Sequence, residues 1–201
     1  IGVLIGEVSK DVSEGLGFKA VTGALVRSVD PDGPSAKAGV KPGDIVLSFE
    51  GKMIKRVSDL PRIVGRTKPG TTASIELWRA GKIVKLSVMV EEFKTEKVVS
   101  APPVPEKPKT TAFNWLGLAV TELPNGIAKK LRLRGGVMVA SVKEPASGSG
   151  LVSGDVITSM NNKSINSLPQ FSSMINSLDK SKVIIFLIRR GEEALFVPIR
   201  P

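Results

Sequence analysis

Residues 74–79 read Ser-Ile-Glu-Leu-Trp-Arg, largely alternating polar and apolar, and residues 82–90 resume after Ala80 and Gly81. A period of two broken by a two-residue turn containing glycine predicts a β-hairpin with one half-buried face. Residues 183–188 are apolar without a break, which predicts a more deeply buried strand. Helical spacing appears twice. Val57, Leu60, Ile63 and Val64 precede Gly65, with Pro61 in the first turn, where a missing N–H costs nothing. Leu168, Phe171, Met174, Ile175 and Leu178 repeat that spacing, with Ser167 placed to cap and Pro169 early. Two further stretches, 7–18 and 121–131, each predict a short helix. The fold class is mainly β with short helices, that is, α+β.

The two halves repeat each other. Gly23-Ala24-Leu25-Val26 leads to Pro34-Ser35-Ala36-Lys37-Ala38-Gly39 and then to Val40-Lys41-Pro42-Gly43-Asp44-Ile45-Val46. Gly136-Val137-Met138-Val139 leads likewise to Pro145-Ala146-Ser147-Gly148-Ser149-Gly150 and Leu151-Val152-Ser153-Gly154-Asp155-Val156-Ile157. Asp44 and Asp155, Ile54 and Ile165, and Leu60 and Phe171 all stand 111 residues apart. Gly51 matches Asn162, the two residue types most tolerant of a left-handed backbone. Near the ends, Arg79-Ala80-Gly81-Lys82 aligns with Arg189-Arg190-Gly191-Glu192 at a spacing of 110. Between the copies, Pro102, Pro103, Pro105 and Pro108 fall in a stretch without apolar periodicity, which predicts an extended linker. The domains are therefore 1–93 and 113–201, joined by a linker over 94–112.

Composition narrows the chemistry. The chain has 201 residues, with no cysteine and no histidine. Disulfides, thiolate metal sites, cysteine nucleophiles and histidine-based triads are excluded within it, so no catalytic residue, metal or cofactor is expected. Ser177 and Lys180 have a Ser-x-x-Lys spacing without companion motifs. Residues 147–150 read as a flexible loop, and Asp30 and Asp32 as turn residues. No apolar run approaches the roughly 18 residues of a membrane span, so neither membrane insertion nor a secretory leader is expected. A start at Ile1 rather than Met suggests a piece of a longer chain. The net charge of +10 is spread thinly, its one dense spot being Lys129, Lys130, Arg132 and Arg134. With 4% aromatic residues and no tyrosine, base-stacking platforms are scarce, and no nucleic-acid partner is expected.

The repeated pattern, from Gly23-Ala24-Leu25-Val26 through Pro42-Gly43-Asp44-Ile45-Val46 to Gly51 and a short apolar helix, resembles a bacterial PDZ domain. The second copy resembles one more loosely: Gly148 and Ser149 replace the usual small and bulky residues, and Ser153 sits where Pro42 does. The order resembles the circularly permuted bacterial form, with the ligand loop opening each copy. Two such domains, a Pro-rich linker and a leading Ile1-Gly2-Val3-Leu4 resemble the C-terminal portion of an HtrA/DegP/DegQ-type bacterial serine protease. The resemblance implies capture of an extended peptide as an added strand, its terminal carboxylate on the N–H groups of an apolar-Gly-apolar loop. It places the loops at Ile1, Gly2, Val3 and at Leu116, Gly117, Leu118, with Leu4, Ile5 and Ala119 continuing the strands. The pocket wall falls to Leu60, Ile63 and Val64 in the first copy, and to Phe171, Met174 and Ile175 in the second. The plainer alternative makes those helical residues core and the glycines ordinary strand-entry residues.

The same resemblance implies a periplasmic parent with its catalytic triad in an upstream protease domain, acting on apolar C-termini of unfolded proteins and assembling as a homo-oligomer. The two predicted insertions would then serve contacts between domains or subunits, or else simply cover the core. Rival readings are the PDZ tandem of a membrane metalloprotease, a non-proteolytic adaptor or oligomerisation module, and a nucleic-acid binder using the Lys129 to Arg134 cluster.

Overall fold

A computed structural model describes residues 1–18, 22–91 and 110–200. The predicted linker over 94–112 lies outside the described residues except for its last three positions.

The first unit contains β1 (Val3–Gly6), α1 (Lys10–Gly15), β2 (Ala24–Val29), α2 (Pro34–Lys37), β3 (Ile45–Phe49), β4 (Lys52–Met53), α3 (Asp59–Val64), β5 (Thr72–Arg79) and β6 (Lys82–Met89). The second contains β7 (Leu118–Glu122), α4 (Asn125–Lys130), β8 (Val137–Val142), a 3-10 turn over Ala146–Ser149, β9 (Val156–Met160), β10 (Lys163–Ser164), α5 (Leu168–Asn176), β11 (Ile184–Arg190) and β12 (Glu193–Ile199). Each unit forms one six-stranded antiparallel sheet. The order is β1-β2-β3-β5-β6 in the first, with β4 on β3, and the second has the same wiring, β7-β8-β9-β11-β12 with β10 on β9. In both, the strand that opens the unit is a sheet edge.

The repeat shows in small features too. Arg27 is skipped where β1 pairs β2, and Ala140 where β7 pairs β8. The β5–β6 turn puts Ala80 and Gly81 at φ 47° and 85°, the mirror-image turn that matches strand twist. The helices differ for a local reason. Ser167 accepts a bond from the Gln170 amide and starts α5 at Leu168, but Arg56 stands in its place in the first unit and α3 starts late, at Asp59. The stretch over 147–150 is not the flexible loop the sequence suggested: the 3-10 turn closes with Ser149 Oγ donating to Ala146 O at 2.6 Å.

An ion pair between a buried aspartate and a more exposed arginine clasps each unit. The Arg79 guanidinium donates to both oxygens of Asp44, at 2.7 and 2.6 Å, and to Gly39 O at 2.8 Å, while the Lys41 amide also donates to Asp44. Arg190 makes the same three bonds, two to Asp155 and one to Gly150 O, each at 2.8 Å, and the Val152 amide supplies the fourth. Both aspartates are buried. This corrects the alignment of the repeat near its end: Arg190, not Arg189, stands where Arg79 does. The glycines of the two hairpin turns misled the alignment, because Gly191 takes the first turn position and Gly81 the second.

The units pack together. α1 carries Val12 and is followed by Leu16, and these join Val8, Leu25, Ile45 and Trp78 of the first unit around Ile185 of the second. Phe196 approaches Trp78 edge-on with ring centroids 6.4 Å apart. Gly15 faces Ile185 so closely that a Cβ there would lie 2.3 Å from it. Ion pairs Arg27–Glu193 and Arg200–Asp11 rim this contact. The first predicted insertion thus serves contact between units. The second, α4, buries none of its residues.

Replacing Asp155 with alanine should remove three bonds and leave Arg190 without its carboxylate. We expect the second unit to lose about 3 kcal/mol, read as a lower urea midpoint with unchanged slope.

Candidate functional site

The loops that open the two units share one geometry. The Asp30 amide donates to Gly2 O at 2.9 Å and the Ser35 amide to Ile1 O at 3.2 Å. In the second unit the Lys143 amide donates to Gly117 O at 2.7 Å and the Ala146 amide to Leu116 O at 3.1 Å. Across a planar trans peptide, each carbonyl turned inward sends the next N–H outward. Gly2 and Val3, and likewise Gly117 and Leu118, therefore present consecutive amides on the outer side, a small concavity of positive partial charge suited to an anionic group. Glycine is required at the centre of each loop. Gly2 has φ 67° and Gly117 φ 76°, and a Cβ on Gly117 would lie 2.4 Å from the carbonyl oxygens of Lys143 and Glu144.

In the first unit, Ile1, Val3 and Ile5 pack against the same core as Ile63 and Val64 of α3, and all five remain half-buried. The structure thus brings loop, edge strand and helix together around one apolar surface. Leu60 is not part of it; at 1% exposure it is core, because the face of a short helix turned to the sheet cannot also face outward. Leu4 points to the opposite side of the sheet, 48% exposed, as strand alternation demands.

In the second unit, Leu116, Leu118, Ala119, Phe171 and Ile175 are all buried, and Met174 alone of the proposed pocket residues is half-buried. Leu116, Leu118, Phe171 and Ile175 fill the core, so only backbone from Leu116 and Leu118 could meet a ligand. The outward amides there already have partners. Asn114 Oδ1 accepts from the Leu116 and Leu118 amides at 3.0 and 3.1 Å, and Asn114 O accepts from the Gly117 amide at 2.9 Å. Sequence reading missed Asn114. An asparagine two residues ahead of a turn commonly bonds backbone amides further on, and that signal was present.

The helix beside each loop is held at its start by matching side chains of different charge. Asp59 Oδ2 accepts from the Lys55 and Arg56 amides at 3.1 and 2.9 Å, and Oδ1 from Arg62 at 2.6 Å. In the second unit, neutral Gln170 accepts from the Asn166 amide at 2.7 Å and donates to Ser164 O at 3.0 Å. Other candidates are ordinary surface. Lys129, Lys130, Arg132 and Arg134 are all exposed, and Asp30 accepts from the Asp32 amide at 3.1 Å in a turn.

A PDZ domain family model matches residues 1–90 and again 115–199. Among curated proteins, a Pseudomonas fulva protein named a probable periplasmic serine endoprotease DegP-like is 40% identical over 205 residues. The match takes in all of this chain and 42% of that protein. A Hahella chejuensis protein of the same name is 36% identical, over 98% of this chain and 42% of its own length. This chain thus spans less than half the length of these relatives. Among solved structures, an HtrA-type protease AlgW with decapeptide is 30% identical, with a TM-score of 0.43 over 47% of this chain and 29% of that one. Among the described residues no helix is long and apolar enough to cross a membrane.

The Arg56 amide above all, then the Lys55 amide and the Arg62 guanidinium, hold the Asp59 carboxyl below its ordinary value. Its support of the α3 start is therefore complete above about pH 4, the unfolded value, and is lost as pH falls through the lowered one. In a proton–nitrogen NMR titration the Arg56 amide should shift with a midpoint below the ordinary aspartate range. The Asn166 amide, bound to a neutral partner, should not follow it.

Proposed function

The chain belongs to the PDZ domain family, and from that premise we propose that it is the peptide-binding tandem of an HtrA-type periplasmic serine endoprotease, with apolar C-termini of unfolded proteins as its ligands. The observation that carries this reading is the loop of the first unit. Two consecutive outward amides centred on a left-handed Gly2 lie at the head of an edge strand, beside half-buried Ile63 and Val64. An extended chain added along β1 would place its carboxylate at those amides and its last side chain against α3. Charge-assisted bonds contribute about 1.5–3 kcal/mol each, and burying an apolar side chain contributes a similar amount. The loop's position at the start of each unit supports the circularly permuted arrangement.

The name and the greater length of the curated relatives support a periplasmic parent with a further domain that carries the protease activity, while the upstream place of that domain and the assembly of several copies rest on the HtrA resemblance alone. This chain has no histidine, so any histidine-dependent hydrolysis belongs to that domain. Its own role is to tether a substrate close to the active centre, where high local concentration lets modest affinity suffice.

The test is a titration of the isotope-labelled chain with a peptide ending in apolar residues, beside its C-terminally amidated twin. We expect the Gly2, Val3 and Ile63 signals to move with the free acid, and the amide to bind at least about tenfold more weakly. Equal binding of the two peptides would refute carboxylate capture. Silence with both would remove the peptide-binding reading.

A further inference from the structure

We propose that residues 110–114 occupy the second unit's peptide groove as a built-in ligand and keep it shut; the proposal concerns the regulation of the site type proposed above and rests on that reading. The outer-edge groups of Leu118 and Val120 on β7 all have partners. Thr111 N donates to Val120 O at 2.9 Å, and Thr111 Oγ1 accepts from the Val120 amide at 3.1 Å. Asn114 N donates to Leu118 O at 3.0 Å, and Asn114 Oδ1 accepts from the Leu118 amide. Thr110 bridges Thr121 in the antiparallel sense, the direction an added strand would take. These are the groups by which strand addition would occur, and the segment satisfies them as a peptide would.

The asparagine side chain takes the place of the ligand's end. Its Oδ1 sits on two loop amides and its own carbonyl on the third, so a neutral amide oxygen stands where a terminal carboxylate would go. The flanking residues pin it. Trp115 Nε1 donates to Ile175 O of α5 at 3.2 Å, Lys180 lies 5.4 Å from the Trp115 ring centroid, and Lys143 lies 4.2 Å from that of Phe113. A carboxylate forms stronger bonds than an amide, but the segment is joined directly to β7 and acts at an effective concentration that free peptides do not reach. Withdrawal of residues 110–114 would open the site, and a peptide's apparent affinity is its intrinsic affinity multiplied by the fraction of time the segment is away.

The experiment compares the whole chain with two variants, Asn114→Ala combined with Thr111→Val, and Asn114→Asp. It reads amide exchange at Leu118 and Val120 and peptide-induced shifts at Gly117 and Leu118, with exchange at Val139 reporting that the second unit remains folded. The double variant should exchange at least tenfold faster at both amides and gain saturable binding of the free-acid peptide. Asn114→Asp, which restores a carboxylate, should stay closed. Equal exchange in wild type and double variant overturns the closure, as does wild-type binding at Gly117 with the affinity of the double variant. Fast exchange without gained binding overturns the segment as the block, provided the first unit binds the same peptide. Should neither unit bind any peptide, the peptide-binding reading fails while the exchange comparison still decides whether residues 110–114 close the edge. Should the double variant lose Val139 protection, Asn114→Ala alone carries the same comparison.

Discussion

An edge strand leaves a row of backbone donors and acceptors that must find partners somewhere, and each unit is arranged around that requirement at its opening strand. Two inward carbonyls on each loop turn the following amides outward, with glycine at the centre to take the left-handed backbone and, at Gly117, to avoid a clash with the Lys143 and Glu144 carbonyls. What lies beside the outward amides is then decisive. In the first unit it is an apolar surface shared by β1 and α3; in the second, the chain's own Thr111 and Asn114 supply every bond that the edge groups of Leu118 and Val120 need. On the proposed reading, one backbone device serves recognition in the first unit and self-closure in the second, and a handful of preceding residues decides which.

The Asp–Arg clasp lets that device be repeated with so little shared sequence. Asp44 and Asp155 each sit at the head of a central strand and fix the arginine that ends β5 or β11. The arginine in turn holds the carbonyl of Gly39 or Gly150, in the connection that follows α2 or the 3-10 turn. A carboxylate buried this deeply is tolerable only because the fork and a backbone amide satisfy it fully, so the constellation survives intact where neighbouring positions have drifted. Residues outside the clasp were free to change. The helix start is held by a charged aspartate in one unit and a neutral glutamine in the other, and the longer helix is the one that Ser167 caps.

The β5–β6 hairpin, both sheet-packed helices and the Ser167 cap were legible in the sequence because each depends on residues within a few positions of one another, and the duplication because such local patterns recur at a constant spacing. The features that were not legible depend on distant partners. Helical periodicity marks one apolar stripe, and it cannot divide Leu60, Phe171 and Ile175, which became core, from Ile63 and Val64 at its margin. The pairing of Arg190 with Asp155 is fixed by strand register, which a turn glycine shifted by one position concealed. Thr111 reads as linker until β7 is seen beside it. Asn114 is the exception, a local signal: its side-chain oxygen takes the Leu116 and Leu118 amides, two and four residues further on.

The contact between units adds the last constraint. The strand that carries the first loop runs within a few residues into Val8 and α1, whose Val12 lies against the cluster containing Ile185 of the second unit. The bulged Arg27 on the neighbouring strand reaches Glu193. Exposed ion pairs of that kind contribute little, so apolar packing around Trp78 and Ile185 sets the strength of the contact. A peptide added along β1, as proposed, would touch an element whose continuation is already fixed on the second unit. Any movement of β1 toward that ligand must be absorbed in the three residues between Gly6 and Lys10 or transmitted to Ile185. Coupling between the proposed ligand and the second unit would need no long pathway, since β1 and the inter-unit helix α1 are adjacent pieces of one short segment.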